Sequence, residues 1–261
     1  MEVLTVKNLT KKYGNIEVLK NVNMHIQEGE IYGLIGKNGA GKTTLIKTIL
    51  GLTEITDGEI CFWEKSGKNN LRIYNRIGAS LDFQGFYPEL SAYENLKVFE
   101  NIRGITKKNA IDEVLEKVGL ISQRDKKYKQ FSLGMKKRLG LANAIMHEPE
   151  FIILDEPTNG LDPIGIADFR KYLMKISKEE QTTIMISSHL LAEVSIMADR
   201  IGILNNGVLI VEKPIEEIQK SNRKYLKISV TNVELTCGVL EEIFKVEDYE
   251  VIDKEQIYIY E

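Results

Sequence analysis

A chain of 261 residues, 43% hydrophobic and 28% charged, has the make-up of a folded globular protein with room for one large α/β domain and a small addition. Its formal net charge of -3 carries no basic excess, which argues against nucleic acid as a partner. Cys61 and Cys237 fit no metal-ligand or disulfide spacing, no run nears the ~18 apolar residues of a membrane span, and the N-terminus lacks the basic start of a signal peptide, so a reducing cytoplasm is expected.

The first segment reads as antiparallel strands. Residues from Val3 alternate, Lys12-Tyr13-Gly14-Asn15 makes a turn, and Val18, Val22, Met24 and Ile26 alternate again. Ile31, Tyr32, Leu34 and Ile35 predict a buried strand, and Leu45, Ile46, Ile49 and Leu50 a helix stopped by Gly51. Between them lies Gly36-Lys37-Asn38-Gly39-Ala40-Gly41-Lys42-Thr43, a G-x-x-x-x-G-K-[ST] loop without mismatch. Between strand and helix, such glycines let successive N–H groups turn inward onto phosphate oxygens, and the helix N-terminus adds partial positive charge. Lys42 would reach the β- and γ-phosphates, and Thr43 would ligate Mg2+. Alone, the loop indicates a nucleoside triphosphate and no more.

A short strand is expected around Gly58 to Phe62, and from about Leu71 to Pro149 the pattern turns helical, as an insertion. Ser91-Ala92-Tyr93-Glu94 spells a capping box. Thr106 is expected to cap a second helix, with the stripe Ala110, Ile111, Val114, Leu115 and Val118, stopped by Gly119. A third helix starts near Ser132 and carries Leu139, Ala142, Ile145 and Met146 on one side. The basic run Lys126, Lys127, Lys129, Lys136, Lys137 and Arg138 reads first as a solvated face and second as a contact for anionic lipid headgroups.

The α/β pattern resumes at Phe151-Ile152-Ile153-Leu154, a run expected of a strand buried on both faces. A helix from about Ile164 to Ser177, a strand Thr182 to Ser187 and a helix Leu190 to Ala198 follow. Asn206-Gly207 between two apolar runs predicts a hairpin. Beyond Pro214, Leu226, Ile228 and Val230 alternate, Val239, Leu240, Ile243 and Phe244 form a helix face, and Ile257 and Ile259 alternate. That unit is too short for a large core and is expected to lean on the main domain or a partner.

Asp155-Glu156 ends the apolar run, where a carboxylate is costly unless it binds something. Asp155 is placed to share Mg2+ with Thr43, and Glu156 to polarise an attacking water. The plainer alternative is an acidic helix cap after a strand. Ser132 caps a helix whose free N–H groups make an anion site, and spacing alone favours a plain cap. His189 follows a strand whose end would line a ligand crevice, and by itself is as readily structural as functional.

Together these pieces resemble the ATPase subunit of ATP-binding cassette (ABC) transporters, over roughly Met1 to Glu212. The resemblance implies an α/β fold: a P-loop NTPase (RecA-like) core with an N-terminal antiparallel β subdomain and an inserted helical subdomain, plus a small α+β C-terminal appendage. The expected division is an ATPase domain over 1–213, with the insert at about 71–149, and the appendage over 214–261. It implies ATP and Mg2+ as cofactors. ATP would be held by Tyr13, which stacks on adenine, by Val18, and by Gly36 through Thr43 with Thr44. Lys42, Glu156 and His189 are the implied catalytic residues, with Thr43 and Asp155 on the metal. Phe131-Ser132-Leu133-Gly134-Met135 matches the family signature, in which Ser132, Leu133, Gly134 and Met135 act on the ATP of an opposing subunit, and Asn159-Gly160-Leu161-Asp162 matches a loop at that dimer interface. The implied partners are a second ATPase subunit, a homodimer before a heterodimer, and a separate integral-membrane permease. The implied location is the cytoplasmic face of the membrane.

One position departs from the family pattern. Where a glutamine usually senses Mg2+ and water, this chain has Asp82, with Gln84 two residues later. ATPases of bacitracin-resistance and lantibiotic-immunity exporters carry an acidic residue there, near a stretch like Gly85-Phe86-Tyr87-Pro88. The resemblance therefore implies an exporter, with an antimicrobial peptide as candidate cargo, and adds Asp82 to the metal set. The aromatics Phe83, Phe86, Tyr87 and Tyr93 are expected to line the groove for the permease, with subdomain core as the alternative. One rival is a cassette ATPase of translation or repair, but those carry paired cassettes or long coiled coils, absent from this sequence. The other is a regulatory protein that holds ATP without hydrolysing it, against which Glu156 argues. If Asp82 is the sensor, Asp82→Ala will uncouple hydrolysis from transport in a reconstituted transporter more than Gln84→Ala does; the opposite ranking would assign the role to Gln84.

Overall fold

The computed structural model describes residues 1–63, 65–66, 71–81, 85–221, 225–246, 249–253 and 255–260. Asp82, Phe83 and Gln84 lie outside the described residues, and the expectations placed on them are not addressed by the fold. Two compact units make up the chain, Met1–Pro214 and Ile215–Glu261.

The first unit begins with β1 (Glu2–Tyr13), β2 (Ile16–Gln27), β3 (Ile31–Ile35), α1 (Lys42–Ile49), β4 (Asp57–Phe62) and β5 (Lys65–Ser66). It continues through β6 (Ile77–Ser80), α2 (Ala92–Arg103), α3 (Ala110–Lys117), α4 (Leu133–Ile145) and β7 (Phe151–Leu154). It closes with α5 (Pro163–Glu180), β8 (Thr183–Ser188), α6 (Leu191–Val194), β9 (Arg200–Asn205) and β10 (Val208–Pro214).

An antiparallel sheet in the order β2-β1-β4-β5 covers one side of the core. Its inward residues Leu4, Val6, Leu9, Leu19, Val22, Met24 and Ile26 are fully buried against Leu34, Leu45, Ile46 and Phe151. The central sheet runs β10-β9-β3-β8-β7-β6, parallel throughout except for the edge strand β10. β3, β7 and β8 are buried along their whole length, as expected of parallel strands covered on both faces. Because β3, β8 and β7 are neighbours and parallel, the loops leaving their C-terminal ends open into one crevice. The turn between β9 and β10 has Asn206 at φ 48° and Gly207 at φ 82°, the two left-handed residues that a two-residue hairpin requires.

The expectation of helix from Leu71 fails at its start. Leu71–Arg76 is a short 3-10 helix, and Ile77–Ser80 is the outer strand β6, paired in parallel with β7. Ile-Gly-Ala-Ser is too short and too small-sided to show a period. Its glycine is a packing requirement: a Cβ on Gly78 would come within 2.1 Å of the Ala144 carbonyl in α4. Thr106 does not cap α3. The position before the helix is Asn109, at φ 61° and without a side-chain cap, while the stripe from Ala110 to Val118 is buried as expected. The helix expected to reach Ala198 is one turn long. Met197 and Ala198 are buried but non-helical, and the Asp199 carboxylate accepts from Ile31 N–H at 2.8 Å, drawing the chain into β9.

The second unit carries α7 (Ile215–Ser221), β11 (Tyr225–Ser229), α8 (Val233–Glu242), β12 (Tyr249–Asp253) and β13 (Gln256–Tyr260), with an antiparallel sheet β11-β13-β12. Leu240 and Ile257 are buried, but Ile243 and Phe244 lie past the end of α8 and are 69% and 67% exposed. The apolar helix face read there is thus only partly covered. Among the described residues, no helix is long and apolar enough to cross a membrane.

In the helical insert, the capping box is formed. Ser91 N–H donates to Glu94 Oε2 at 2.7 Å, and Glu94 N–H to Ser91 Oγ at 3.1 Å. One turn on, the fully buried Asn95 accepts from Tyr87 N–H and donates to the carbonyls of Tyr87, Leu90 and Ser91. Losing a cap costs about 1 kcal/mol; Asn95→Ala leaves the Tyr87 N–H without its acceptor, at about 1–3 kcal/mol, and also strips a second donor from three carbonyls that keep the N–H groups of Leu90, Tyr128 and Asn95. Asn95→Ala will therefore lower the urea midpoint more than Ser91→Ala; equal shifts would show the loop has other supports.

Candidate functional site

The site starts from the loop between β3 and α1. Gly39 and Gly41 stand at φ 81° and 107°, and a Cβ on Gly36 would come within 2.5 Å of the Leu204 carbonyl. Gly207 N–H donates to the Ala40 carbonyl at 2.9 Å, so the β9–β10 turn braces the loop. The carbonyl of the half-buried Val18 lies 3.3 Å from where a Gly41 side chain would begin. Lys37 and Asn38 are exposed, and Thr44 follows Thr43 in the first turn of α1. Lys42 is only 6% exposed and folds back over the loop, with Nζ donating to the Gly36 carbonyl at 2.6 Å.

From β7 comes Asp155. Its Oδ2 accepts from Thr43 Oγ1 at 2.7 Å, and its Oδ1 from Ser187 Oγ at 2.5 Å. Glu156 follows at φ 45°, an unusual conformation for a non-glycine residue. Its N–H donates to Ser187 Oγ at 2.9 Å, and its carbonyl accepts from Lys137 Nζ at 2.8 Å. Its Oε2 accepts from His189 Nδ1 at 2.9 Å, while Oε1 lies 3.1 Å from Lys42 Nζ, an ion pair without hydrogen-bond alignment. Lys42, Thr43, Asp155, Glu156 and His189, spread over nearly 150 positions of sequence, are thus one hydrogen-bonded and ion-paired cluster.

Two members of the network were missed in the sequence. In the sequence Ser187 is only the end of a strand, although a polar side chain in a buried strand beside the crevice is a signal in itself. Lys137 belongs to the basic run expected first as a solvated face and second as a lipid contact, yet its Nζ is bonded to the Glu156 carbonyl. Its neighbour Arg138 is also engaged, donating to Asp168 at 3.1 Å, while Lys129 pairs with Glu89 at 2.8 Å.

The remaining candidates lie apart from that cluster. Ser132 caps α4 by accepting from Met135 N–H at 3.3 Å, and Leu133 is exposed. Among the described residues, no hydrogen bond joins Ser132, Leu133, Gly134 or Met135 to Gly36–Thr43. Leu133 instead packs on Gly160, where a Cβ would meet its Cδ2 at 2.6 Å, and Gly134 faces Leu161. Asp162 caps α5, accepting from Gly165 N–H at 2.9 Å. Tyr13, at the end of β1, is 50% exposed, with Lys11 Nζ 4.6 Å from the ring centroid and its hydroxyl 3.3 Å from Thr53 Oγ1. Phe86 packs on Phe99 and Tyr128 inside the insert, whereas Tyr87 is exposed. A cleft of about 450 Å³ lies at the other ends of β7 and β8, around Glu150 and Thr183, away from the cluster.

A family model for ABC transporters matches residues 19–159, over half of the chain and including the glycine loop, Ser132–Met135 and Asp155-Glu156. The chain belongs to the ABC transporter family. It is similar to bacitracin transport ATP-binding proteins BcrA of Enterococcus faecalis, 45% identical over 96% of this chain and 82% of that one, and of Bacillus licheniformis, 46% identical over 99% and 85%. It is also 46% identical to the lantibiotic transport ATP-binding protein SrtF of Streptococcus pyogenes, over 81% of this chain and 90% of that one. Among solved structures, cbiO1 of Clostridium perfringens, part of an ABC transporter complex, superimposes with a TM-score of 0.76 at 27% identity, over 94% of this chain and 97% of that one.

The family assignment drawn from these separated motifs therefore holds, as does the P-loop NTPase fold. This chain is the ATP-binding subunit of an ABC transporter and an ATPase, and the relatives do not favour a role in translation or repair. Ser187 holds both Asp155 and the Glu156 N–H, so Ser187→Ala should lower the turnover number for ATP roughly tenfold or more, since small misplacements of reacting groups are costly. Steady-state hydrolysis by the intact transporter checks this, and wild-type turnover would show that Ser187 is dispensable.

Proposed function

We propose that the cluster around Glu156 hydrolyses MgATP by general-base catalysis and that this drives export of a peptide antibiotic. The observation that carries the reading is the Glu156 carboxylate, set between Lys42 Nζ at 3.1 Å and His189 Nδ1 at 2.9 Å. In this reading the backbone N–H groups of Gly36–Thr43, with Thr44, cradle the phosphates, and Lys42 meets their β- and γ-oxygens. A water oxygen attacks the γ-phosphorus, Glu156 takes its proton, and the bond to the β-γ bridging oxygen breaks to give ADP and phosphate. His189 holds the carboxylate in line and meets the γ-phosphate.

Thr43 and Asp155 are hard oxygen donors 2.7 Å apart, which suits Mg2+, an ion held by one or two carboxylates together with phosphate and water. Mg2+ there would neutralise charge developing on the phosphate oxygens. The resemblance alone adds Asp82 to this set, with Gln84 its rival. Tyr13 stacks on adenine with the ring face opposite Lys11, and Val18 lies beside it.

Ser132, Leu133, Gly134 and Met135 act on the ATP of a second subunit, here a second copy of the chain, and Asp162 lies at that interface. The exposed start of α4, whose N-terminus carries partial positive charge, supports this. A similar cassette, 28% identical with a TM-score of 0.73 over 81% of this chain and 98% of that one, is dimeric with ADP and Pi bound. The proposed membrane partner is a separate permease at the cytoplasmic face, and the names of the BcrA and SrtF relatives support bacitracin-like or lantibiotic cargo.

Glu156→Gln keeps the shape and removes the base. In the transporter reconstituted with its permease, it should cut ATP turnover by about 10²–10⁴-fold while ATP binding persists. Bacitracin or a lantibiotic should raise the wild-type rate. Unchanged turnover in Glu156→Gln would refute the base assignment, and indifference to both peptides would refute the cargo.

A further inference from the structure

We propose that Lys137 is a positioning residue for hydrolysis, which reaches from the signature helix α4 to hold Glu156 in its working conformation. The proposal rests on reading Glu156 as the general base.

Glu156 stands at φ 45°, a backbone state that costs a non-glycine residue free energy and persists only where surrounding contacts impose it. The contacts that impose it are identifiable. On the N-terminal side, the Glu156 N–H is held by Ser187 Oγ at 2.9 Å. On the C-terminal side, the Glu156 carbonyl accepts from Lys137 Nζ at 2.8 Å and, more weakly, from Asn159 N–H at 3.2 Å, so Lys137 is the shorter and the charged one of its two donors. These bonds fix the peptide planes flanking the Glu156 Cα, and the orientation of those planes sets where the carboxylate points. A hydrogen bond with a charged donor is stronger than one between neutral groups, which suits Lys137 to holding a strained segment.

The anchor sits on an informative element. Lys137 lies about one turn beyond Leu133 and Gly134, in the same helix whose N-terminus is capped by Ser132. That N-terminus packs on Gly160 and faces Leu161, in the loop that Glu156 begins. α4 therefore grips the segment from Glu156 to Leu161 at both ends, once through Lys137 and once through Leu133. Any displacement of α4 is transmitted to the Glu156 carbonyl. In the proposed dimer α4 serves the ATP of the opposing subunit, so Lys137 joins engagement of one ATP to alignment of the base for the other.

The test uses the full chain in its transporter complex. Lys137→Met removes the donor and keeps most of the length, and Lys137→Arg keeps a donor. Lys137→Met should lower kcat roughly tenfold or more, with KM for ATP and thermal midpoint near wild type, and Lys137→Arg should recover most of the rate. In a Glu156→Gln background, Lys137→Met should cause no further loss, because the two residues act as a unit. An unchanged kcat, a fall in thermal midpoint matching the loss of rate, or an additive loss in the double variant would overturn the proposal. Wild-type turnover in Glu156→Gln alone would instead remove the base assignment on which it rests.

Discussion

The buried carboxylate of Asp155 is the constraint around which the C-terminal edge of the parallel sheet is organised. It is 8% exposed at the end of a strand whose every residue is buried, where an unpartnered charge would be costly. Both oxygens are satisfied, one by Thr43 from the first turn after β3 and the other by Ser187 from β8. One side chain thus ties together the ends of three adjacent strands. The parallel order β3-β8-β7 makes this possible, since it brings the three C-terminal ends to one crevice.

Glu156 depends on that arrangement. Its backbone state carries a cost of order 1–3 kcal/mol and is held by the bonds that Ser187, Lys137 and the Asn159 N–H make to its two peptide groups. Its side chain then meets Lys42, at the start of α1, and His189, just after β8. Ser187 serves twice, as donor to Asp155 and as acceptor from Glu156 N–H, so the two acidic residues are oriented through one hydroxyl. The helical insert meets the core at small residues. Gly78 lets α4 approach β6, and Gly160 receives Leu133. This close contact lets a helix capped at the surface reach the Glu156 carbonyl.

Much of this was legible in the chain. The glycine loop, Asp155-Glu156, the Ser91 and Ser132 caps and the Asn206-Gly207 turn each rest on local chemistry that acts within a few residues. The family was readable for the same reason, because motifs of that kind keep their order. The misreadings share the opposite property. β6 has no period because its neighbours, not its own side chains, make it a strand. Met197 and Ala198 look helical because they are buried. Lys137 looks like one more surface charge because its partner lies 19 residues away in sequence.

The sequence by itself determined which groups are available to bind phosphate and to take a proton, and the strands and helix ends that present them. Only the tertiary structure decided which of those groups meet. Contacts such as Thr43 with Asp155, Ser187 with Glu156 and Lys137 with the Glu156 carbonyl exist because parallel strand pairing and the docking of α4 bring together groups that no local rule relates.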